Sequence, residues 1–526
     1  MFLSNKSQTI NWRRLPFFLI FILGSLSCNK NILEYTDPDS YNTDNYFNSP
    51  EQIRQAANAI YVGFYFNSMM GFEWPELYDV LAFEAEPTPN ALVYEKDICA
   101  IRRYQYVNTN PVIENYWRML YRMILRANLV LDKGGQYFDK GGSDPNLMVT
   151  NSMGEAYFLR GWCYFQLAFN WGRVPLRTSF NQAGNEDAPR AGSVDQVWAI
   201  AETDFKKAAA MLPETWAPDQ TGRASRGAAI GFLGKLYLYN KRYDEAEKKF
   251  AELPSKYRLL DSSRWLDNFG ETNKNNEESL FEVQFQWYEG NFKGNFSAPE
   301  GNDNMPVTQT THQQLYGWND WTNWGFVPNR EKDFIYAVNG NVAYQDPRAK
   351  LTFYGGIGAS TWLGNSPGGP KVYAFTTLGY WYKKILNKEN KETESNQQSS
   401  NNLRLLRYAD VILMRAECKM QQGNLVEAIN LINQVRKRVG AVPYSVQASK
   451  ADVFKLLMRE RQLEFMGEQM RFNDLKRWNI LRETLNPECE SLFGTPNILD
   501  KHNLFPIPNI EISTNLGLGP VKDEWN

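Results

Sequence analysis

The segment YGWNDWTNWGF (316–326) combines three tryptophans with small polar residues. Its indoles are Trp318, Trp321 and Trp324, and the side chains between them include Asn319, Asp320 and Asn323. A sugar ring has a face of C–H bonds and an edge of hydroxyls, so a flat aromatic ring and amide or carboxylate groups can bind it. The segment offers both and is a candidate ligand site. The tryptophan spacing also fits one face of a helix packed on the core, although Asp, Thr, Asn and Gly form helices poorly.

Further candidates for ligand contact lie elsewhere in the chain. Trp287, Tyr288 and Trp362 are aromatic residues of the same loop-rich region, with core packing as the alternative. Trp74 precedes Glu84 and Glu86 in the stretch GFEWPELYDVLAFEAEP. The two carboxylates could accept hydrogen bonds from ligand hydroxyls. Alternatively, they are solvated loop acids or helix-capping groups.

Paired carboxylates also raise the question of glycoside hydrolysis. Glu84 with Glu86, or Glu277 with Glu278, would need a defined separation across a cleft and one raised pKa. The sequence does not show these properties. It contains no HExxH, CxxC or P-loop pattern, and we predict no cofactor and no metal site.

A dense group of charged residues near the C-terminus has a structural interpretation. Its members are Arg459, Glu460, Arg461, Glu464, Glu468, Arg471, Asp474 and Arg477. Pairs such as Arg461 with Glu464 or Glu468, and Arg471 with Asp474, would brace a helix and hold loops. We therefore expect scaffold ion pairs rather than a catalytic centre.

Composition sets broad limits on the kind of protein. The chain has 526 residues, 43% of them hydrophobic, which suffices for a large core. The net charge of −2 gives no basic field for nucleic acid, so we expect no nucleic-acid partner.

The N-terminal segment predicts export and lipid anchoring. Residues 1–27 contain Lys6, Arg13 and Arg14, followed by a short apolar run, as in a signal peptide. Cys28 follows SLS as in a bacterial lipoprotein, although the lipobox match is loose. We expect a lipid on Cys28, a tether over 28–48 and a single domain over 49–526. The alternative is an ordinary signal peptide cut near Ser25.

The other cysteines do not have metal-binding spacing. They are Cys99, Cys163, Cys418 and Cys489, and export would place them outside the cytosol. Cys163 and Cys418 lie in helical apolar patterns, which favours buried free thiols over a disulfide. The sequence alone leaves their pairing open.

Most of the domain has a helical pattern. The stretch AAIGFLGKLYLYNKRYDEAEKKFAEL matches a tetratricopeptide repeat at Leu233, Gly234, Tyr237, Ala246 and Phe250. A weaker copy has Ala416, Ala428 and Ile432 at the small and aromatic positions. We predict a mainly α fold, an α-solenoid-like scaffold of tetratricopeptide-like helix pairs over 49–264 and 401–480.

Residues from about 265 to 400 have a different composition, rich in Gly, Asn, Trp and Tyr. SLFEVQFQW (279–287) alternates as in a short strand. A long irregular insertion within a helical scaffold is usually functional or disordered, and the aromatic content argues against disorder. We predict a variable, loop-rich and aromatic-rich ligand face with few short strands, followed by a C-terminal loop segment over 481–526.

Several segments together resemble one known family. They are NILEYTDPD after Cys28, AYFLRGWCYFQLAFNWGRVPL (156–176), LRYADVILMRAE (406–417), RERQLEFMGEQMRFNDLKRW (459–478) and LFPIPNIEISTN (504–515). In this order they resemble the SusD/RagB-like nutrient-binding lipoproteins of the Bacteroidetes outer membrane. The sequence departs from the family after Asn515, where Leu-Gly-Leu-Gly-Pro replaces the usual ending.

The resemblance implies a function and a partner. It implies a non-catalytic outer-membrane lipoprotein at the cell surface that captures an oligosaccharide and passes it to a SusC-like TonB-dependent transporter. The alternatives are a peptide or another non-sugar nutrient as ligand, or a structural transporter lid with no ligand site of its own. Neither the residues nor the resemblance identifies the glycan.

Overall fold

A computed structural model describes most of the chain from residue 46 onward. The described residues are 46–66, 69–70, 73–180, 184–286, 316, 324–326, 330–353, 361–366, 369–374, 384, 400–445, 449–519 and 525. The chain divides into two compact units, Met1–Asn48 and Ser49–Asn526, and the architecture below is that of the second. Within the described residues, no helix is both long and apolar enough to span a membrane.

The domain begins with a well-capped helix, α1 (Pro50–Tyr61). Ser49 and Gln52 form a reciprocal capping box, and Pro50 occupies the first helical turn, where its missing N–H costs nothing. A 3-10 helix, Val62–Tyr65, follows directly.

Short helices and one strand connect α1 to the long helices of the first half. They are α2 (Glu73–Leu81), β1 (Ala85–Pro87), α3 (Pro89–Tyr94) and α4 (Lys96–Arg102). The long helices are α5 (Pro111–Asp139), α6 (Met148–Trp171) and α7 (Val194–Met211). Helix α6 is buried around most of its circumference and ends at Gly172, whose φ of +72° favours glycine. This helix forms the centre of the first half of the core.

The predicted tetratricopeptide-like unit is present as α8 (Arg226–Tyr239) and α9 (Tyr243–Ala251). A Cβ atom added at Gly234 would lie 2.5 Å from the Phe250 ring, so only glycine permits this approach of the two helices. Lys241 turns the chain between them with φ of +60°. The sequence thus identified both the pair and the residue that lets it close.

The weaker repeat is also a helix pair, α11 (Tyr408–Gln421) with α12 (Leu425–Arg438), which follows α10 (Ala349–Thr352) in chain order. Ala416, Ala428 and Ile432 are fully buried. Within the described residues, four further α-helices follow: α13 (Lys450–Phe465), α14 (Arg471–Arg477), α15 (Leu481–Phe493) and α16 (Asn509–Thr514). The predicted mainly α, tetratricopeptide-like fold is confirmed.

The strands form four antiparallel two-stranded sheets in the described part of the chain. They are β2 (Ser279–Val283) with β8 (Leu403–Arg407), β1 with β3 (Trp324–Phe326), β4 (Ile335–Val338) with β5 (Asn341–Gln345), and β6 (Thr361–Ser366) with β7 (Gly369–Ala374). The strand predicted over 279–287 is therefore present, ending at Val283. Most strands lie in the region where the sequence predicted few short ones.

The charged C-terminal motif forms buried ion pairs, as predicted, but with different partners. Arg461 binds Asp474 and Asp410 at 2.7 and 2.8 Å rather than Glu464 or Glu468. Arg471 binds Glu488 at 3.0 Å rather than Asp474. Glu464 and Glu468 instead face arginines of other elements, and Asp474 is already shared by Arg461 and Arg477. Helical spacing could not reveal these long-range partners.

Arg348 and Arg407 are the centres of two buried groups of charges. Arg348 has no solvent exposure and binds Asp346 at 2.8 Å and Glu460 at 2.7 Å. Arg407 binds Glu278 at 2.6 Å and Glu464 at 3.0 Å. Through these contacts the insertion, strand β8 and helix α13 are joined into one core.

Cys163 and Cys418 are buried free thiols, as predicted. Cys99 and Cys489 are also buried and form no disulfide within the described residues. Burial raises the pKa of the Cys163 thiol well above its usual value, which makes it inert.

Candidate functional site

Several sequence-predicted contact residues lie outside the described residues: Trp318, Trp321, Asn319, Asp320, Asn323, Trp287 and Tyr288. The predicted lipidation site, Cys28, also lies outside them. Trp362 lies on β6, where it pairs with Tyr373 of β7. The structure thus places Trp74, Glu84, Glu86 and Trp324 in full.

Three of these residues meet where β1 pairs with β3. Pro87 lies opposite Trp324, and Glu86 lies opposite Gly325. Glu84 immediately precedes this strand. The end of the tryptophan segment is therefore held beside the two candidate carboxylates. A second long-range contact joins the same parts of the chain: the Tyr316 hydroxyl donates to Asp79 at 2.9 Å, across 237 residues.

Trp324 is an interior residue. Its side chain is 0% exposed, and its Nε1 donates to Oε2 of Glu95 at 2.8 Å. The expectation that Trp324 offers a face to a ligand is not met in this structure, because packing covers both faces of the ring. Burial raises the pKa of Glu76 well above its usual value, and the nearby charges of Glu95 and Glu73 raise it further. The Trp324 indole N–H opposes this shift.

Glu84 is an interior residue too, and neither a solvated loop acid nor a helix cap. It is 1% exposed, and its Oε2 accepts from the backbone N–H of Gly467 at 3.2 Å. Burial raises its pKa to about 7, opposed first by the positive charge of Arg471. Asp79 makes a parallel contact with the Gln469 side chain at 3.1 Å. These two acids attach α2 and β1 to the turn after α13.

Glu86 and Trp74 contribute to the same packing. Glu86 forms an ion pair with Arg102, whose Nε also donates to the Ala85 carbonyl at 3.1 Å. Trp74 is 8% exposed and lies edge-on to Tyr78, with ring centroids 5.0 Å apart. These residues therefore position the neighbouring segments and present little surface to a ligand.

The other carboxylate pair, Glu277 and Glu278, is divided between two environments. Glu278 is buried and binds Arg407 and Arg438, both at 2.6 Å. Glu277 binds Arg264 at 2.6 Å near the surface, and this arginine lowers its pKa to about 2. Both groups are neutralised by arginines, which leaves neither as a general acid.

A separate cavity of about 330 Å³ has the composition expected for a sugar site. We call it the Tyr65 pocket. Its aromatic lining residues are Tyr61, Phe64, Tyr65 and Phe281, and its polar lining residues include Asn58, Asp219, Gln220, Thr221, Arg223, Glu282 and Gln284. Ring faces together with amide, carboxylate and guanidinium groups are the partners that a hydroxylated ring needs.

The aromatic wall of the pocket comes from the end of α1 and the following 3-10 helix. Phe64 is 1% exposed and packs against Trp162 and Phe281. Tyr65 remains partly exposed and lies edge-on to Phe285, with centroids 5.6 Å apart. The Tyr65 ring thus packs against Phe285 and is accessible from the cavity.

Hydrogen bonds fix the polar wall in place. Arg223 donates to Asn58 at 2.7 Å, to Gln220 at 2.7 Å and to Glu155 at 3.0 Å. Gln284 exchanges hydrogen bonds with Asn275 at 2.8 and 2.9 Å. A pre-ordered wall of this kind reduces the entropy lost when a ligand binds.

One glycine allows a close contact between two walls of the pocket. Gly222 has φ of +96°, and an added Cβ atom would lie 2.4 Å from the Gln284 side chain. Only glycine therefore lets residues 218–223 approach Gln284, the residue after strand β2, this closely.

Sequence reasoning missed the Tyr65 pocket, because its walls come from segments far apart in the chain. Local signals were present: the aromatic run YVGFYF at the end of α1, and the turn PDQTGR. Trp287 and Tyr288, which the sequence did single out, follow Gln284 by three and four residues. In the described residues, no group of three or more His, Cys, Asp or Glu side chains could hold a metal ion.

Comparison with known families and structures shows which proteins this chain resembles. The model of the SusD family matches residues 266–519. A second model, described as starch-binding associating with outer membrane, matches residues 33–238. A SusD-like protein of Formosa agariphila is 24% identical over 95% of this chain and 96% of its own length.

Solved structures show the same fold. A SusD superfamily protein from Bacteroides vulgatus superposes with a TM-score of 0.74 at 26% identity, covering 91% of this chain and 99% of that one. A laminarin-binding SusD-like protein has a TM-score of 0.66 at 23% identity, covering 88% and 98%. Surface glycan-binding protein A from Bacteroides thetaiotaomicron, in complex with laminarihexaose, has a TM-score of 0.67 at 19% identity, covering 89% and 98%.

Two family models, a curated relative and these structures agree along the length of the domain, and they confirm the resemblance found in the sequence. The chain belongs to the SusD family.

Proposed function

We propose that this protein is a non-catalytic binding protein for an oligosaccharide, with the Tyr65 pocket as part of its ligand site. The observation that carries the proposal is the lining of the cavity, where the accessible ring of Tyr65 faces amide and carboxylate side chains. Its volume of about 330 Å³ lies within the range of small-ligand pockets. One or two sugar rings are the expected occupants.

Related proteins support the choice of ligand class. One structural neighbour is a laminarin-binding protein, and another was solved in complex with laminarihexaose. The model matching residues 33–238 carries a starch-binding description. A glycan is therefore the first ligand class to test, ahead of peptides.

The cellular role extends the proposal. The N-terminal segment and Cys28 predict a lipid anchor, and the description of one matching family model includes association with the outer membrane. We place the protein at the outer membrane, facing outward, where it passes its glycan to a SusC-like TonB-dependent transporter. Pull-down of an outer-membrane barrel from native membranes would test this partnership, and acyl-chain mass spectrometry of Cys28 would test the anchor.

Calorimetry with a panel of neutral oligosaccharides, laminarihexaose included, tests the ligand site. Tyr65→Ala should weaken the binding of a positive glycan by about tenfold, because the stacking surface is removed. Tyr65→Phe should retain most of the affinity. The control is Tyr157→Ala on α6, since Tyr157 is also partly exposed and lies outside the pocket.

Other outcomes would favour the alternatives. Peptide binding with no glycan binding would indicate a peptide receptor, and binding of neither would indicate a structural lid. Unchanged affinity in Tyr65→Ala would remove the pocket from the site and leave Trp318, Trp321, Trp287 and Tyr288 as the next residues to replace. Release of shorter sugars during incubation would overturn the non-catalytic assignment.

A further inference from the structure

A second cavity, of about 730 Å³, lies among the ends of the helix pairs. We call it the Trp478 groove. It is lined by Lys241, Tyr243, Met420, Gln421, Lys450, Ala451, Phe454, Arg477 and Trp478. None of these residues lines the Tyr65 pocket, so the two cavities are built from different elements.

The lining of the groove carries positive charge and no carboxylate. The positive charge of Arg477 is neutralised by Glu417 at 2.7 Å and Asp474 at 2.9 Å. Lys241 and Lys450 are exposed, and neither makes an ion pair within the described residues. The groove thus presents two exposed ammonium groups.

An ordered aromatic surface lies beside these charges. The Trp478 ring is fixed by its Nε1 hydrogen bond to Glu417 at 3.0 Å and by the Arg477 guanidinium, 4.6 Å from its centroid. Phe454 lies edge-on to it at 5.2 Å. Both rings remain partly exposed. The geometry is therefore rigid before any ligand arrives.

Tyr243 adds a polar group to this surface. Its hydroxyl makes no hydrogen bond among the described residues, and its side chain is partly exposed. It can donate to or accept from a ligand hydroxyl.

We propose that the Trp478 groove is a second carbohydrate subsite, selective for acidic sugars. This inference rests on the glycan-binding function proposed above. The two lysines pair with the carboxylates of uronate residues, the ring of Trp478 packs on the C–H face of a sugar, and Tyr243 bonds a hydroxyl. A volume of about 730 Å³ accommodates a short oligosaccharide. Charge complementarity distinguishes this ligand from a neutral glycan and from an acid-poor peptide.

The test is calorimetry of the purified protein with a galacturonate hexamer and with laminarihexaose at low and moderate salt. The double variant Lys241→Gln/Lys450→Gln should bind the uronate hexamer at least tenfold more weakly, while laminarihexaose binding is unchanged. Uronate binding by the wild type should also weaken as salt rises, because the contact is ionic. Trp478→Leu should weaken uronate binding, and circular dichroism would establish that it remains folded.

The control variant is Lys140→Gln/Lys248→Gln, which removes the same charge from two exposed lysines outside both cavities. Equal loss of uronate binding in this control would indicate a general charge effect and overturn the subsite. Absence of uronate binding by the wild type, or full binding by the groove double variant, would also overturn it. Laminarihexaose binding that depends on Tyr65 would meanwhile uphold the proposed function, so the two proposals fail separately.

Discussion

The indole nitrogen of Trp324 donates to the carboxylate of Glu95 across 2.8 Å, joining residues 229 positions apart in the chain. This bond attaches the end of the tryptophan segment to the loop between α3 and α4. It turns one of the three candidate ligand-binding rings into an anchor. The remaining two, Trp318 and Trp321, stay candidates for ligand contact.

We predict that Trp324→Ala destabilises the protein by about 3–5 kcal/mol, the usual cost of removing a buried tryptophan. Trp324→Phe should cost about 1–3 kcal/mol, because the ring is largely kept while the donor to Glu95 is lost. Urea unfolding followed by circular dichroism measures both. A Trp324→Phe variant of unchanged stability but weakened glycan affinity would show instead that this ring touches the ligand.

Gly234 tests the packing of the first helix pair. Gly234→Ala places a methyl group 2.5 Å from the Phe250 ring, and we predict a loss of about 1–3 kcal/mol from overpacking. Gly135→Ala is the matched control, since Gly135 is also helical and an added Cβ atom there has no neighbour within 4 Å. It should stabilise the protein by about 0.5–1 kcal/mol through helix propensity.

A second substitution sharpens this test. If the clash with Phe250 causes the loss, Phe250→Leu should cost less in the Gly234→Ala background than in the wild type. Additive losses in the double variant would point to a different cause, such as a distorted helix α8.

These positions show what the sequence could predict. The Gly234 and Phe250 pair follows from a repeat pattern, because tetratricopeptide-like units place fixed residue types at fixed local spacings. Glu84 and Gly467 lie 383 residues apart, and no local pattern connects them. The same limit explains the errors for Arg461 and Arg471, whose partners lie on other elements, and the missed Tyr65 pocket, whose walls come from three separate segments.

The buried charges around Arg348 should be essential for stability. Arg348→Met leaves Asp346 and Glu460 buried without this partner, and we predict a loss of about 3–5 kcal/mol in urea unfolding. The control Lys249→Met removes one member of a surface pair with Glu252 and should cost at most about 1 kcal/mol.

Glycan affinity should not change when Arg348 is replaced, in contrast to stability. Since Arg348 does not line the Tyr65 pocket, the folded fraction of Arg348→Met should bind as the wild type does. Lost affinity in a fully folded variant would refute the scaffold role that we assign to this cluster.

The Glu84 carboxyl should make stability depend on pH. Its pKa is raised from 4.5 to about 7 in the folded protein, chiefly by burial, so the folded state binds the proton more tightly than the unfolded state. The resulting stabilisation is fully present below pH 4.5 and is lost as pH rises through 7. By linkage the loss is about 3 kcal/mol across this window. Glu84→Gln, which keeps an oxygen for the Gly467 N–H, should remove that part of the decline.

Urea unfolding at a series of pH values from 4 to 8 measures this effect. The control Glu490→Gln replaces an exposed carboxyl of α15 and should retain the wild-type profile. Equal slopes for Glu84→Gln and the wild type between pH 4.5 and 7 would mean that Glu84 is not the titrating group. In the predicted case, protonation of Glu84 strengthens the attachment of α2 and β1 to the turn after α13, because the neutral carboxyl removes the cost of a buried charge.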